Sequence, residues 1–185
     1  RKMIALESAP GMGKSSIAEA IAECLNVPCI KIHMGGQHDI SVIKGHSKTY
    51  ISAIPGVIVS KLCSQASGWK NPVIFLDEID KVSSRHGEME GALCELFDPD
   101  HNKNFEDYYL GFKYDLSNCI FVTAMNDSTK IGNIVSDRLQ ILKIQPYTTT
   151  EKTNMAMSHL IPRVLKNIGM SPANIEFTRE AAAAV

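Results

Sequence analysis

The residues with the clearest chemical potential lie near the amino end, in Ser8–Ser16, which reads SAPGMGKSS. This segment fits the phosphate-binding pattern G-x-x-x-x-G-K-[ST], although Ser8 stands where the pattern has its first glycine. Such glycines let backbone N–H groups approach phosphate oxygens, and the start of a following helix adds partial positive charge. Lys14 would then reach the β- and γ-phosphates, and the Ser15 hydroxyl would bind Mg²⁺. The alternative is a glycine-rich turn that opens an ordinary helix.

Two carboxylates follow an apolar run further along the chain, in the segment Val73–Glu78, which reads VIFLDE. At the carboxyl end of a strand, Asp77 would hold Mg²⁺ partly through water, and Glu78 would accept a proton from an attacking water. The alternative is a pair of solvated acids at the end of a strand. The two motifs in this order predict an ATPase that uses ATP and Mg²⁺. The predicted nucleotide-binding residues are Pro10, Gly11, Met12, Gly13, Lys14, Ser15, Ser16 and Asp77.

The elements that must position these residues alternate between apolar strands and helices. The predicted helices are Ser15–Leu25, Gly56–Ala66 and Glu90–Phe97. The predicted strands are Lys2–Glu7, Cys29–His33, Pro72–Asp77, Cys119–Ala124 and Leu139–Ile144. Continuous apolar strands separated by helices are typical of a parallel sheet that is covered on both faces. The predicted fold class is therefore α/β, a phosphate-binding-loop fold with helices flanking the sheet.

A domain boundary is predicted near Gln145–Thr149, where Pro146 stops the last strand. Thr148 and Glu151 match a capping box that opens a new helix. Residues 1–146 are thus expected to form a large α/β domain, and residues 147–185 the incomplete beginning of a small helical domain. Within the second region, Pro162 is expected to interrupt the helix, and Gly169 with Pro172 to end it. We also expect the chain to be a piece of a longer protein.

Composition restricts the class of partner and the compartment. The 185 residues include 19 Lys and Arg against 20 Asp and Glu, a net charge of −1, and 44% are hydrophobic. This balance excludes a disordered chain and argues against a surface built mainly for nucleic acid or anionic membrane, although a local contact with DNA stays open. No apolar run reaches the ~18 residues of a membrane span. Five cysteines without a CxxC pair indicate a reducing compartment, either cytoplasmic or the mitochondrial matrix, rather than secretion.

Several further segments carry a family resemblance. Beyond the two nucleotide motifs, the chain resembles the AAA+ ATPases, and more narrowly the ATPase module of the Lon family of ATP-dependent serine proteases. The similarity runs from about Met3 to Leu165. The segments that carry it are Leu76–Lys81, Gly45–Gly56, Asp98-Pro99, Tyr109-Leu110 and Asp115–Asn118.

The resemblance implies roles for two more residues at the site. Asn126 would sense the γ-phosphate and orient water, although an Asn can also simply cap a turn after a strand. Arg138 would be an arginine finger that reaches the neighbouring subunit's site, or else a surface arginine paired with Asp137. Ser136 and Gln140, which flank this arginine, depart from the usual family pattern. A finger acting between subunits implies a homo-oligomer, expected to be a hexameric ring.

The resemblance also implies contact with unfolded polypeptide substrates. Tyr50 and Ile51 would form a pore loop that grips an extended chain, because a flat aromatic with an apolar neighbour offers area without selecting a sequence. The alternative is a Tyr50 buried in the core. A second pore loop would lie in Ser83–Met89. No membrane partner is expected.

The expected function is the ATP-driven motor of a Lon-like protease, which unfolds and moves polypeptides toward a proteolytic chamber outside this chain. The family's second sensor arginine and its Ser-Lys dyad are expected beyond Val185, and the S-x-x-K matches Ser41–Lys44 and Ser67–Lys70 are taken as coincidences. The alternatives are a nucleotide-dependent remodelling or scaffold ring without proteolysis, and a small-molecule phosphotransferase.

Overall fold

The structure, a computed structural model, describes residues 3–82, 87–170, 175 and 177–183. The chain divides into two compact units, Arg1–Ile144 and Gln145–Val185. Among the described residues, none of the helices combines the length and the apolar character that a membrane span requires.

The first unit is built on a parallel sheet. The strands of the described residues are β1 (Met3–Glu7), β2 (Cys29–His33), β3 (Val73–Asp77), β4 (Phe105–Asp107), β5 (Phe112–Tyr114), β6 (Ile120–Met125) and β7 (Leu139–Lys143). Five of them form one sheet in the order β2-β3-β6-β1-β7, and every neighbouring pair is parallel. Because parallel strands end at the same edge, the segments after β1, β3 and β6 come together there. The α/β prediction is confirmed.

Helices cover the sheet on both faces. They are α1 (Lys14–Leu25), α2 (Ser41–Lys44), α3 (Val57–Gln65), α4 (Glu88–Phe97) and α5 (Asn133–Ser136). Alternate side chains of β3 belong to different cores. Val73 and Phe75 pack in a core with α1, whereas Ile74 and Leu76 pack in a core with α3 and α4. Burial of both faces explains why the first four residues of β3 are all apolar.

The shortest elements were not predicted. The strands β4 and β5 form an antiparallel hairpin, in which Phe105 pairs with Tyr114 and Asp107 pairs with Phe112. Segments of three or four residues, such as these strands, α2 and α5, are too short to show a hydrophobic period. The longer elements agree with the sequence prediction to within two residues at each end.

The second unit contains α6 (Thr149–Met155), a π-helical stretch (Ala156–Leu160), α7 (Ile161–Asn167) and α8 (Arg179–Ala183). The α-helix is therefore interrupted just before Pro162, as predicted, although the interruption is a π-helical stretch and the segment stays helical. Proline lacks an N–H and clashes with the carbonyl four residues before it. The wider π turn immediately before α7 accommodates that defect without a break.

Both ends of this helical segment follow the sequence signals. The Thr148 hydroxyl accepts the Glu151 N–H at 3.3 Å, and the Glu151 carboxylate accepts the Thr148 N–H at 2.8 Å. This pair is the predicted capping box. At the other end Gly169 has a φ of 72°, and the Met170 N–H donates to the Leu165 carbonyl. Pro172, the other predicted stop signal, lies outside the described residues.

Candidate functional site

The loop between β1 and α1 has the backbone shape that the phosphate-binding pattern predicts. Gly11 and Gly13 have φ values of 78° and 77°, a left-handed conformation that glycine adopts without strain. A methyl group added at either glycine would meet no other atom within 4 Å, so the loop leaves room on this side for a ligand. Gly13 is the residue that precedes α1, which aims the positive end of that helix at the same space.

Ser8 fits its position without strain. Its φ is not positive, in contrast to those of the two loop glycines, and its N–H donates to the Met125 carbonyl. The side chain is buried, and its hydroxyl donates to the Ala9 carbonyl at 3.1 Å. The replacement of the first glycine by Ser8 therefore leaves the loop intact.

Lys14 connects the loop to the strand beside it. Its ammonium group donates to the Ser8 carbonyl at 2.8 Å, to the Ala9 carbonyl at 3.2 Å and to Asn126 Oδ1 at 2.9 Å. Desolvation lowers the pKa of Lys14, and the nearby carboxylates of Asp77, Asp80 and Glu78 oppose that shift. The Lys14 ammonium group therefore lies close to three carboxylates and can bind an anionic ligand in the same place.

The acidic pair lies at the carboxyl end of β3. Asp77 is half-buried, and its Oδ1 accepts the Glu78 N–H at 2.9 Å. Glu78 has a φ of 57°, a conformation uncommon for a residue with a side chain. A non-glycine residue held in this way is often part of a functional site.

The Glu78 carboxylate has two basic partners. Lys81 donates a hydrogen bond to Oε1, and His33 Nε2 lies 3.2 Å from Oε2. The Lys81 hydrogen bond is the main reason that the pKa of Glu78 is lowered. The carboxylate also lies against the backbone of Gly35, where an added methyl group would overlap it. Glu78 is therefore an ionised carboxylate that is held in place from three sides.

These residues line one cleft of about 490 Å³. Its lining is Pro10, Gly11, Met12, Gly13, Lys14, Ser15, Asp77, Glu78, Lys81 and Asn126. The structure thus brings together all the predicted nucleotide-binding residues except Ser16, which is exposed and lies outside this lining. Lys81 also lines the cleft. This lysine belongs to the Leu76–Lys81 segment, but the sequence alone predicts no role for it.

The donors in the cleft suit a nucleotide with Mg²⁺. The Ser15 hydroxyl and the Asp77 carboxylate both line it. Mg²⁺ is commonly held by one or two protein oxygens together with substrate phosphates and water. No group of three or more His, Cys, Asp or Glu that could hold a metal occurs in residues 3–82, 87–170, 175 and 177–183. The oxygen donors of the cleft therefore fit a metal ion that arrives with its phosphate ligands.

Arg138 lies at the other end of the sheet. It immediately precedes β7, whose first residue Leu139 pairs with Met3, the first residue of β1. The phosphate-binding loop follows the far end of β1, roughly 13 Å away at ~3.3 Å per residue.

The Arg138 guanidinium donates to the Ile134 carbonyl at 2.8 Å and lies 3.7 Å from Asp98. Its acidic partner is thus Asp98, and not Asp137 as the alternative supposed.

Tyr50 and Ile51 project from a surface loop. Their side chains are 68% and 99% exposed, so the alternative of a core Tyr50 is wrong. The base of this loop is fixed by Asp107, which is fully buried and accepts the Gly56 N–H at 2.8 Å. Of the predicted second pore loop, Ser83–Met89, residues 83–86 lie outside the described residues.

Comparison with known proteins identifies the family. Residues 4–147 match the ATPase family associated with various cellular activities (AAA). The Lon protease of Aquifex aeolicus is 41% identical over 180 residues, which cover 97% of this chain and 22% of that protein. Lon protease 4 of Sorangium cellulosum is 39% identical over 177 residues, 95% of this chain and 22% of that protein. A relative from Pichia angusta, named Lon protease homolog 2, peroxisomal, is 42% identical over 171 residues, 91% of this chain and 18% of that protein.

This chain spans about a fifth of the length of the curated relatives that it matches. The family match covers the loop, the acidic pair, Asn126 and Arg138 in one continuous stretch. The chain belongs to the AAA ATPase family, and it corresponds to the ATPase region of Lon protease homologues.

Proposed function

We propose that this chain binds ATP with Mg²⁺ in the cleft and hydrolyses it to drive the movement of polypeptide. The observation that carries the proposal is the convergence of Lys14, Ser15, Asp77, Glu78 and Asn126 on one cleft. Each of these side chains has a role that the chemistry of phosphoryl transfer requires. A scaffold that bound nucleotide only for assembly would have little use for all five.

The loop and Lys14 would hold the phosphates, while Ser15 and Asp77 would hold the metal ion. Mg²⁺, when bound, neutralises phosphate charge and lowers the barrier to attack at phosphorus. Glu78 would accept the proton of the attacking water, and Asn126 would orient that water. Lys81 and His33 each contact one oxygen of the Glu78 carboxylate, and each oxygen keeps a second lone pair that can accept the water.

Arg138 would act on the cleft of a neighbouring copy. Its position at the amino end of the sheet, remote from the loop of its own chain, supports action between subunits. Its guanidinium is only half-buried and so remains accessible to a second copy. A finger that acts between subunits requires a closed assembly, for which we propose a homohexameric ring.

Tyr50 and Ile51 would grip unfolded polypeptide. Their exposure, on a loop with a fixed base, suits a contact that must meet many different side chains. We further propose that the whole protein is an ATP-dependent protease, because its relatives are named Lon protease. The first 146 residues would be the large ATPase domain, and 147–185 the beginning of the small helical domain.

The five cysteines, all free, support a reducing compartment such as the cytoplasm or the mitochondrial matrix.

The test uses the full-length protein and a loosely folded polypeptide. Degradation is measured with ATP, without ATP, and in the Glu78→Gln variant. We expect cleavage to require ATP and to fail in the variant, while the variant keeps its affinity for a fluorescent ATP analogue, because only proton transfer has been removed. ATP turnover without cleavage would replace the protease proposal with an unfoldase or remodelling ring. Near-normal turnover by Glu78→Gln would remove this residue from the mechanism.

A further inference from the structure

Asp80 lies in the turn that follows β3, next to the carboxyl end of β6. After β3 the chain turns sharply through the left-handed Glu78 and a 3₁₀ turn, Ile79–Lys81, in which the Lys81 N–H donates to the Glu78 carbonyl. This turn directs Asp80 back into the protein. Its side chain is only 7% exposed, which is unusual for a carboxylate and calls for partners.

Those partners are backbone groups of the neighbouring strand end. Asp80 Oδ2 accepts the Asn126 N–H at 3.1 Å and the Asp127 N–H at 3.3 Å. The two amides follow β6 directly, where the chain leaves the sheet and can no longer use the ladder of hydrogen bonds. One carboxylate oxygen therefore fixes the backbone on which Asn126 stands.

The fixed residue is the one that contacts Lys14. Asn126 Oδ1 accepts the Lys14 ammonium at 2.9 Å, and both side chains line the cleft. Asp80 itself is not among the lining residues. Any effect of Asp80 on a ligand in the cleft is accordingly indirect: it passes through Asn126, through the turn that carries Glu78 and Lys81, or through charge.

We propose that Asp80 is a positioning residue for the ATPase site: it holds the turn after β6, so that the Asn126 side chain faces Lys14 and the reacting phosphate. The proposal rests on the proposed function of the cleft. A displacement of about 1 Å at such a site can reduce a rate by roughly a hundredfold, so a residue that never touches the ligand can still control turnover.

Charge is the competing explanation. Lys14 and Lys81 both interact electrostatically with Asp80. The second oxygen, Oδ1, is buried and has no hydrogen-bond partner in the part of the chain that the structure describes. Asp80→Asn separates the explanations, because an amide oxygen can still accept the two N–H groups but carries no charge.

The first measurement is hydrogen–deuterium exchange in the full-length protein without nucleotide. In Asp80→Ala, the amides of Asn126 and Asp127 should exchange roughly tenfold faster or more, because they lose a charged acceptor. Asp80→Asn should retain most of the protection. Asp115→Ala is the matched control, since Asp115 also accepts a turn amide, that of Ser117, at 2.9 Å but lies outside the cleft lining. This change should leave the exchange of Asn126 and Asp127 as it is in the wild-type protein. Unchanged exchange at Asn126 in Asp80→Ala would overturn the proposal.

The second measurement is a double-mutant cycle with Asn126→Ala. Asp80→Ala should lower kcat by about tenfold to a hundredfold, and Asp80→Asn by much less. The variant with both alanines should resemble Asn126→Ala within about twofold, because two residues that act through one contact are not additive. Losses that simply multiply, or an Asp80→Asn variant as slow as Asp80→Ala, would overturn the positioning role.

The outcomes also separate this proposal from the proposed function. If the wild-type protein neither binds nor hydrolyses ATP, the function fails, whereas the exchange result still decides whether Asp80 fixes the turn. If the wild-type protein hydrolyses ATP and the cycle is additive, the function stands and the role of Asp80 fails. The affinity for a fluorescent ATP analogue provides a check that Asp80→Asn is folded.

Discussion

Glu78 shows how individual side chains in the cleft set one another's protonation. Its carboxylate receives a hydrogen bond from Lys81 and lies beside His33, and the Lys81 bond holds the pKa of Glu78 below its ordinary value. In its proposed role as a general base, Glu78 would act only when it is deprotonated. The lowered pKa therefore keeps the base form available as the pH falls.

Removal of Lys81 should shift the acidic limb of the activity profile. In Lys81→Ala the pKa of Glu78 rises toward its ordinary value, because the bond that favoured the ionised form is gone. The base form is then lost at a higher pH, so kcat should begin to fall at a higher pH than in the wild-type protein. The measurement is kcat against pH on the acidic side of neutrality.

Lys130→Ala is the matched control for this shift. Lys130 pairs with Asp127 at the same spacing of three residues, at 3.6 Å, but does not contact Glu78. An acidic limb that stays in place in Lys81→Ala would mean that Glu78 does not provide the titrating group.

At the residue scale, the sequence predicted the side chains that follow a pattern and missed those that support them. The loop from Pro10 to Ser15 and the acidic pair follow fixed spacings, which depend only on local backbone geometry. The roles of Asp80 and His33 depend on the left-handed turn at Glu78 and on the pairing of β2 with β3. Neither of these contacts has a spacing in the sequence that would reveal it.

At the scale of elements, the loop that carries Tyr50 depends on two glycines at its base. The φ of Gly45 is 73°, and its Cβ position would lie 2.8 Å from the Gly56 nitrogen. An added methyl group at Gly56 would overlap the Ile43 carbonyl oxygen. The buried Asp107 then ties this base to the hairpin, since it also accepts the Tyr109 N–H at 2.9 Å.

Gly56→Ala should therefore destabilise the first unit, by about 2 kcal/mol or more, because the backbone must move to relieve the overlap. Chemical denaturation of the full-length protein measures the loss. Gly91→Ala is the matched control: Gly91 lies within α4 and has no atom within 4 Å of its Cβ position. That change should be neutral or stabilise by up to ~1 kcal/mol. Equal effects of the two changes would contradict the close packing at the loop base.

Element prediction succeeded where hydrophobic patterns are long, as in α1 and β3. It failed for the β4–β5 hairpin, whose strands have three residues each. At Pro162 it predicted an interruption of the helix but not its form, because a π turn that absorbs a proline has no distinct sequence signal. These misses share a cause: the local chain is compatible with several conformations, and neighbouring elements select one.

At the scale of the whole molecule, Arg138 and the nucleotide cleft lie at opposite ends of one sheet. In the proposed ring, this separation would let each copy complete its neighbour's site. Arg138→Ala should then keep its affinity for ATP but lose roughly a thousandfold in kcat, the low end of the range for arginine fingers.

Mixing variants tests the action between copies. Arg138→Ala and Glu78→Gln proteins, each nearly inactive alone, should regain part of the activity when their subunits are exchanged. Some interfaces then pair an intact Glu78 with a neighbour's intact Arg138. Arg163→Ala, a change at an exposed arginine of α7, should behave as the wild-type protein. Mixed assemblies that stay inactive would indicate that Arg138 does not act between subunits.

The position of β1 in the sheet has a consequence for biosynthesis. This strand lies between β6 and β7. It is the first strand of the five-stranded sheet to be synthesised, whereas β6 and β7 are the last two. A chain leaving the ribosome can pair β2 with β3 early, but β1 has no sheet partner until Ile120 and the residues after it emerge. Until then the phosphate-binding loop also lacks one of its anchors, because the Ser8 N–H donates to the Met125 carbonyl. A nascent chain that stalls before β6 would therefore expose an unpaired apolar strand, and its cleft would lack Asn126.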